Sequence, residues 1–316
     1  MMKRAIFAIA LCMSIAPARA QSGNVPPLVL EKVKETGAVL NPAMIQAMFD
    51  LYAPLMPKPG PGVTVIEDLA YGPNERHRLD LFAPAARSAR SLPVVMFVHG
   101  GGYVAGGKSR PGVPFYQNVG DFFARNGAIG INMTYRLAPA HPWPAGGEDV
   151  ARALRWVRKN IAEFGGDPER VFLFGQSAGA THVAHYVFDE QLQPPDGGDG
   201  VAGAILQSGV FDPAGAPPGP NVPAYFGSDR GAWAERSLFG KIGGRRIPVF
   251  ILYAEYDPPE FKRESAKLRD ALCRRDTACP RTKELPGHNH LTEILHLNTD
   301  DASMGPDLMS FVRETR

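Results

Sequence analysis

One nine-residue stretch constrains this chain more than any other. Residues 171–179 read Val-Phe-Leu-Phe-Gly-Gln-Ser-Ala-Gly, and a run of Ala, His and Val follows. Four strand-forming apolar residues, a Gly-x-Ser-x-Gly turn and a helix-compatible segment are the context of a nucleophile elbow, in which the serine sits on a sharp strand-to-helix turn. The flanking glycines have a physical reason: the turn forces the Ser177 backbone into a strained conformation, and side chains at Gly175 or Gly179 would clash there. Alone the pattern is weak, since such a pentapeptide can be an ordinary loop. It gains force only if strands and helices alternate around it and if a base, an acid and an oxyanion site appear in matching places.

The alternation is present. Continuous apolar runs at 93–98, 128–135, 171–174, 201–208 and 248–253 predict strands buried on both faces. Between them lie helical patterns at 115–126, 148–164, from the elbow to 188, and 261–274; a short strand at 282–285 and helices at 291–297 and 306–313 close the chain. Such an order predicts an α/β fold with a mostly parallel central sheet and helices on both faces. Residues 63–69 and 76–82 alternate at period two, which suits a hairpin at the sheet edge. Two segments stand outside the pattern. Residues 21–62 carry helical patches at 28–36 and 42–52 whose apolar face must pack on something, so they are expected as an N-terminal flap over the main domain. Residues 211–247 are rich in Pro and Gly, with Tyr225, Phe226, Trp233 and Phe239, and are expected as a lid over a pocket. Residues 63–316 then form the main domain.

Residues 1–20 have a different origin. Lys3 and Arg4, an apolar core and Ala18-Arg19-Ala20 form a secretory signal peptide, with an apolar run too short to span a bilayer. The chain is therefore expected to be exported, periplasmic or secreted, after cleavage near Ala20. Removing residues 1–20 takes three of the 34 cations and no carboxylate, so 31 basic residues face 32 acidic ones. That balance calls for neither nucleic acid nor an anionic membrane. Cys273 and Cys279 are the pair left in an oxidising compartment, and a disulfide between them is expected.

His99-Gly100-Gly101-Gly102-Tyr103 follows the buried run 93–98. Consecutive glycines lose much backbone freedom on folding, which makes sense if N–H groups must face an anion unobstructed, as in an oxyanion hole. The N–H after the nucleophile, that of Ala178, is the expected partner. A phosphate loop does not fit, because no Lys-Ser/Thr follows and Gly-x-Gly-x-x-Gly spacing is absent. Serine needs a base oriented by an acid, in the chain order Ser, acid, His. His182 and His185 lie on the elbow helix and are expected to pack. His290 is the expected base, with His288 supporting the loop or replacing it. Asp257, at a strand's end before Pro258, is the expected acid. Glu255 is the alternative, and Glu260 reads as a helix-start carboxylate.

With these residues the chain resembles the α/β-hydrolases, and most of all the hormone-sensitive-lipase-like esterases. The resemblance rests on residues 99–103, on Tyr135-Arg136-Leu137-Ala138-Pro139 with Pro142-Trp143-Pro144-Ala145, on 175–179 and on Tyr256-Asp257-Pro258. It implies a serine esterase without metal or cofactor, a helical cap over the pocket, and an oxyanion hole from Gly101, Gly102 and Ala178. The run 135–139 is expected to be structural. Two departures, Gln176 where the family commonly has an acid and His290-Leu291-Thr292 in place of His-Gly-Phe, lean toward type-B carboxylesterases and arylformamidases. The expected function is cleavage of small to medium carboxylic esters through an acyl-enzyme. An amidase or formamidase with the same triad is the alternative, and a non-catalytic binding module on this scaffold is disfavoured by the glycines it would not need.

Overall fold

The computed structural model describes residues 25–57, 62–86, 90–194, 198–216, 219–243 and 245–315. The expected signal peptide lies outside them. Two helices, α1 (Pro27–Thr36) and α2 (Pro42–Tyr52), precede the sheet. Asn41 caps α2 by accepting from Met44 N, and Pro42 takes the first-turn position where no N–H is needed. There follow β1 (Val63–Ala70), β2 (Arg78–Pro84), β3 (Leu92–Val98), α3 (Gln117–Arg125), β4 (Ile129–Met133), α4 (Ala145–Asn160), β5 (Gly166–Gln176), α5 (Ala178–Phe188) and β6 (Val201–Gln207). Short helices α6 (Asn221–Phe226) and α7 (Trp233–Arg236) come next, then β7 (Val249–Tyr256), α8 (Pro259–Arg275), β8 (Arg281–Asn289), α9 (Thr292–Leu295) and α10 (Gly305–Glu314).

The eight strands form one sheet in the order β1-β2-β4-β3-β5-β6-β7-β8. The β1–β2 and β2–β4 pairs are antiparallel and all others parallel. The apolar strands are continuous runs because alternate residues enter two cores. Val94, Met96 and Val98 of β3, with Val171 and Leu173 of β5, join Val150, Leu154, Val183 and Val187 of α4 and α5. Val95, Phe97, Phe172 and Phe174 point the other way, toward α3 and α10. The apolar faces of α1 and α2, with Val29, Val33, Met44, Met48, Phe49 and Tyr52, complete this second core.

Two strands depart from the sequence expectation. Strand β1 does not alternate cleanly: its register breaks between Ile66 and Leu69, where Asp68 takes φ 58° and its N–H donates to Asp80 Oδ1. Lys108 Nζ bridges Asp68 and Asp80 at 2.8 Å each, which gives the lysine after Gly106-Gly107 a structural partner. Strand β8 runs well past residue 285. Gly287 at φ 77° and a register shift opposite Ala254 and Tyr256 carry it to Asn289, so His290 sits at a strand end, not in an open loop. In the insertion, Tyr225 and Phe226 pack on Tyr103, with Trp233 in the same buried cluster, and Tyr225 stacks on Tyr103 at 4.6 Å. Cys273, near the end of α8, is disulfide-bonded to Cys279.

Candidate active site

Strand β5 ends at Gln176, and Ser177 occupies the turn into α5 with φ 54° and ψ −121°, a conformation a side-chain-bearing residue rarely adopts. The neighbours make the turn possible. A Cβ on Gly175 would meet Gly179 O, and one on Gly179 would meet Val98 O. Ser177 N donates to Gln207 O at 2.8 Å, which fixes the turn to β6.

The three residues expected as nucleophile, base and acid meet here. His290 Nε2 lies 2.9 Å from Ser177 Oγ, and Nδ1 lies 2.7 Å from Asp257 Oδ1. All three side chains are buried, and the imidazole stacks on Phe261 of α8 with ring centroids 4.1 Å apart. The Asp257 carboxylate is held from its far side: Oδ2 accepts from Ala254 N at 2.8 Å and from Ser208 Oγ at 2.6 Å. With Oδ2 occupied by these donors, Oδ1 is left to face the imidazole N–H. That arrangement orients Nε2 toward the serine hydroxyl with its lone pair.

The other candidates have different partners. His288 Nδ1 is 3.2 Å from Thr292 Oγ1, and its Nε2 is 3.1 Å from both Ser303 Oγ and Asp301 Oδ2. This ties the β8–α9 corner together, as expected of a supporting residue. His182 is buried against Tyr103, Tyr135 and Tyr225, and burial pushes its pKa well down, so it stays neutral. Glu255 Oε2 accepts from Gly287 N at 2.7 Å, turned to the β8 backbone, and Glu260 pairs with Arg263.

Gly101 and Gly102 adopt φ 123° and 58°. A Cβ on Gly101 would collide with the Ala105 carbonyl, and one on Gly102 with the Asn221 side chain. Among the described residues no backbone carbonyl accepts from the N–H of either glycine outside helices and strands. Ala178 begins α5, where the first N–H groups have no helical acceptor. All three residues line a cavity of about 890 Å³ that also contains Ser177 and His290. Its walls are largely apolar: Ile45 and Phe49 from α2, Phe115, Val210, Val222, Phe261 and Leu291. Segments from both expected covers therefore reach the cavity, residues 38–49 and 219–222, while Trp233 and Phe239 of the insertion do not.

Sequence reasoning did not find Ser208, Phe261 or Glu293. Gln176 appeared only as a departure. Gln176 Nε2 donates to His290 O at 2.9 Å and to Glu293 Oε1 at 3.0 Å. Ser208 could have been suspected from its place just after β6, since ligand and catalytic groups gather at carboxyl ends of such strands. Glu293 falls one helical turn after His290, a spacing that can carry it back to the same site.

A serine on a strand–turn–helix elbow, with a histidine after the last strand of a mostly parallel sheet, defines an α/β-hydrolase. The chain belongs to that superfamily, and its residues 77–218 match the carboxylesterase family model. Esterase LipQ of Mycobacterium tuberculosis is 30% identical over 248 residues, covering 72% of this chain and 57% of LipQ. Carboxylesterase NlhH of the same species is 46% identical over 96 residues, covering 29% of this chain and 27% of NlhH. The chain thus matches little more than half the length of one relative and about a quarter of the other. Among solved structures, esterase B from Lactobacillus rhamnosis superposes with a TM-score of 0.70 at 19% identity, covering 91% of this chain and 95% of that one. The hyperthermophilic esterase of Pyrobaculum calidifontis gives 0.63 at 20% identity, over 92% and 98%.

Proposed function

We propose that this protein is an exported serine hydrolase that cleaves small to medium carboxylic esters through an acyl-enzyme. The observation that carries the reading is the continuous hydrogen-bond path from Ser177 Oγ through both ring nitrogens of His290 to Asp257. Ser177 Oγ attacks the ester carbonyl as its proton passes to His290 Nε2, and the carbonyl oxygen becomes an oxyanion facing the N–H groups of Gly101, Gly102 and Ala178. The C–O bond then breaks, and the alcohol leaves with the proton from Nε2. Water attacks the acyl-serine by the same route, giving the acid and restoring the hydroxyl. Asp257 holds the imidazole tautomer and stabilises its cation. The largely apolar wall favours an uncharged acyl group, and the names of the relatives favour an ester bond. No helix among the described residues is long and apolar enough to cross a membrane. Export rests on the signal-like residues 1–20 alone.

The test is hydrolysis of p-nitrophenyl acetate and butyrate by the wild type and by Ser177→Ala. The expected result is a loss of at least about a thousandfold in kcat, with the folded state unchanged by circular dichroism. Activity retained in the variant would end the proposal.

A further inference from the structure

A second buried carboxyl lies against the triad, and the number of protons available to it decides its state. Glu293 has no solvent exposure. Its Oε1 accepts from Gln176 Nε2, and its Oε2 lies 2.7 Å from Ser208 Oγ. The same Ser208 Oγ lies 2.6 Å from Asp257 Oδ2. A hydroxyl has one proton to give. If both carboxyls were ionised, Ser208 would donate to one and set its lone pair against the lone pair of the other at hydrogen-bond distance. Two charges would also share one buried site with no cation between them, an arrangement that proteins resolve by keeping a proton.

We propose that Glu293 carries that proton and donates it to Ser208 Oγ, which donates in turn to Asp257, so that the two carboxyls hold one negative charge at the Asp257 end. This rests on the reading of Ser177, His290 and Asp257 as the reacting triad. The proton belongs on Glu293 because the donors are unequal. Asp257 receives Ala254 N–H, Ser208 O–H and His290 Nδ1–H. Glu293 has one neutral amide donor, Gln176. Hydrogen bonds to a charged carboxylate favour ionisation, so the better-served group is the anion. Burial, with Asp257 second, pushes the Glu293 carboxyl well above the usual range, in the same direction. The ionisable groups facing Glu293 among the described residues are Asp257, His290 with Nδ1 at 3.9 Å from Oε1, and Tyr116. Gln207, which donates to the Glu293 backbone carbonyl, is neutral.

The arrangement also accounts for Gln176. An acid before the nucleophile would present oxygen to the Glu293 carboxyl and to the His290 carbonyl, both of which accept. The amide donates to both. Glu293 is thus a positioning residue: through Ser208 it keeps Asp257 Oδ2 engaged, and through Gln176 it ties the elbow to the histidine segment.

Two measurements test this. The first is the infrared spectrum of the wild-type protein at pH 8, where ordinary carboxyls are ionised. A carboxylic-acid C=O stretch that persists there, and that is lost in Glu293→Gln, is the expected result. Its absence from the wild type overturns the proposal, and this reading needs neither turnover nor a folded variant. The second is the acid limb of kcat/KM, which reports the imidazole of the free enzyme. If Glu293 is neutral, Glu293→Gln leaves the limb within about 0.3 pH unit of wild type. If Glu293 were ionised, removing a charge 3.9 Å from His290 Nδ1 would move the limb down by about 1 to 3 units, and that result also overturns it. A failure of the triad reading shows separately, as activity surviving in Ser177→Ala.

Discussion

Replacing Asp257 by Asn tests the orientation of the site more sharply than removing the carboxylate, because the shape is kept and only a donor changes place. Asn presents one oxygen and one NH2 where Asp presents two acceptors. Ala254 N–H points at the Oδ2 position from 2.8 Å, and a backbone N–H cannot reverse its polarity. The amide oxygen must therefore take the Oδ2 position. Its NH2 then falls where Oδ1 now lies, 2.7 Å from His290 Nδ1. Two donors cannot face each other at that distance, so the imidazole gives up its Nδ1 proton and takes the tautomer protonated at Nε2. Nε2–H then faces Ser177 Oγ and cannot accept its proton. The expected loss is about 10⁴-fold in kcat, or about 5.5 kcal/mol of transition-state stabilisation, with little change in KM. The assay is p-nitrophenyl butyrate hydrolysis at pH 7.5, beside a thermal melt that shows the fold intact. Ser208→Ala added to Asp257→Asn should restore nothing, because Ala254 N–H alone imposes the amide orientation. A loss of less than about tenfold would mean that Asp257 does not set the tautomer, and the reasoning would fail.

Gly101→Ala combines a strained φ with a clash against the Ala105 carbonyl, and kcat should fall by about 10²- to 10³-fold if this loop supplies an oxyanion donor; an unchanged kcat refutes that role. Burial lowers the pKa values of His99 and His296 to about 3 and of His185 to about 4. Below the ordinary histidine range, down to about pH 3–4, the unfolded chain therefore binds more protons than the folded one, and stability falls as pH falls through that window. A melting temperature that did not drop between pH 7 and 5 would contradict this. Both ring nitrogens of His185 lack a hydrogen-bond partner among the described residues, so His185→Leu should reduce that acid loss, read as a shallower slope of melting temperature against pH. The Cys273–Cys279 disulfide closes a separation of only 6 residues, so Cys273→Ser with Cys279→Ser should cost no more than about 2–3 kcal/mol in urea unfolding, with catalysis unaffected.

What could be read from the chain, and what could not, follows the range of the interactions. The central strands announce themselves because burial on both faces demands continuous apolar runs, and residues 94–98 and 171–174 enter the two cores by turns. Ser177 is visible because its turn admits only small neighbours, a local steric demand. His290 and Asp257 are visible because chain order and strand ends confine them. Ser208 and Glu293 obey no local rule: they are 85 positions apart, and each is an ordinary residue in its own segment. They meet because parallel pairing aligns the ends of β6 and β7 and a register shift brings the end of β8 alongside.

The same reasoning explains why Gln176 looked like a fault in the pattern. Judged by its own pentapeptide, an amide before the nucleophile is a departure from the acid commonly found there. Judged by its partners, it is the residue type that fits, since it must donate to one carbonyl and one carboxyl, both acceptors. The carboxyl absent from the elbow is present on α9, one turn beyond His290, in contact with the same amide. What is constrained at this site is then the number of protons shared among Asp257, Ser208, Glu293 and Gln176. A substitution there should be judged by whether it leaves every acceptor with a donor. By that criterion Gln176→Glu sets an acceptor against both the His290 carbonyl and Glu293 Oε1, and adding Glu293→Gln cannot repair it, because the carbonyl contact remains. Both variants should lose activity in p-nitrophenyl butyrate hydrolysis, and a Gln176→Glu enzyme as active as the wild type would refute the criterion.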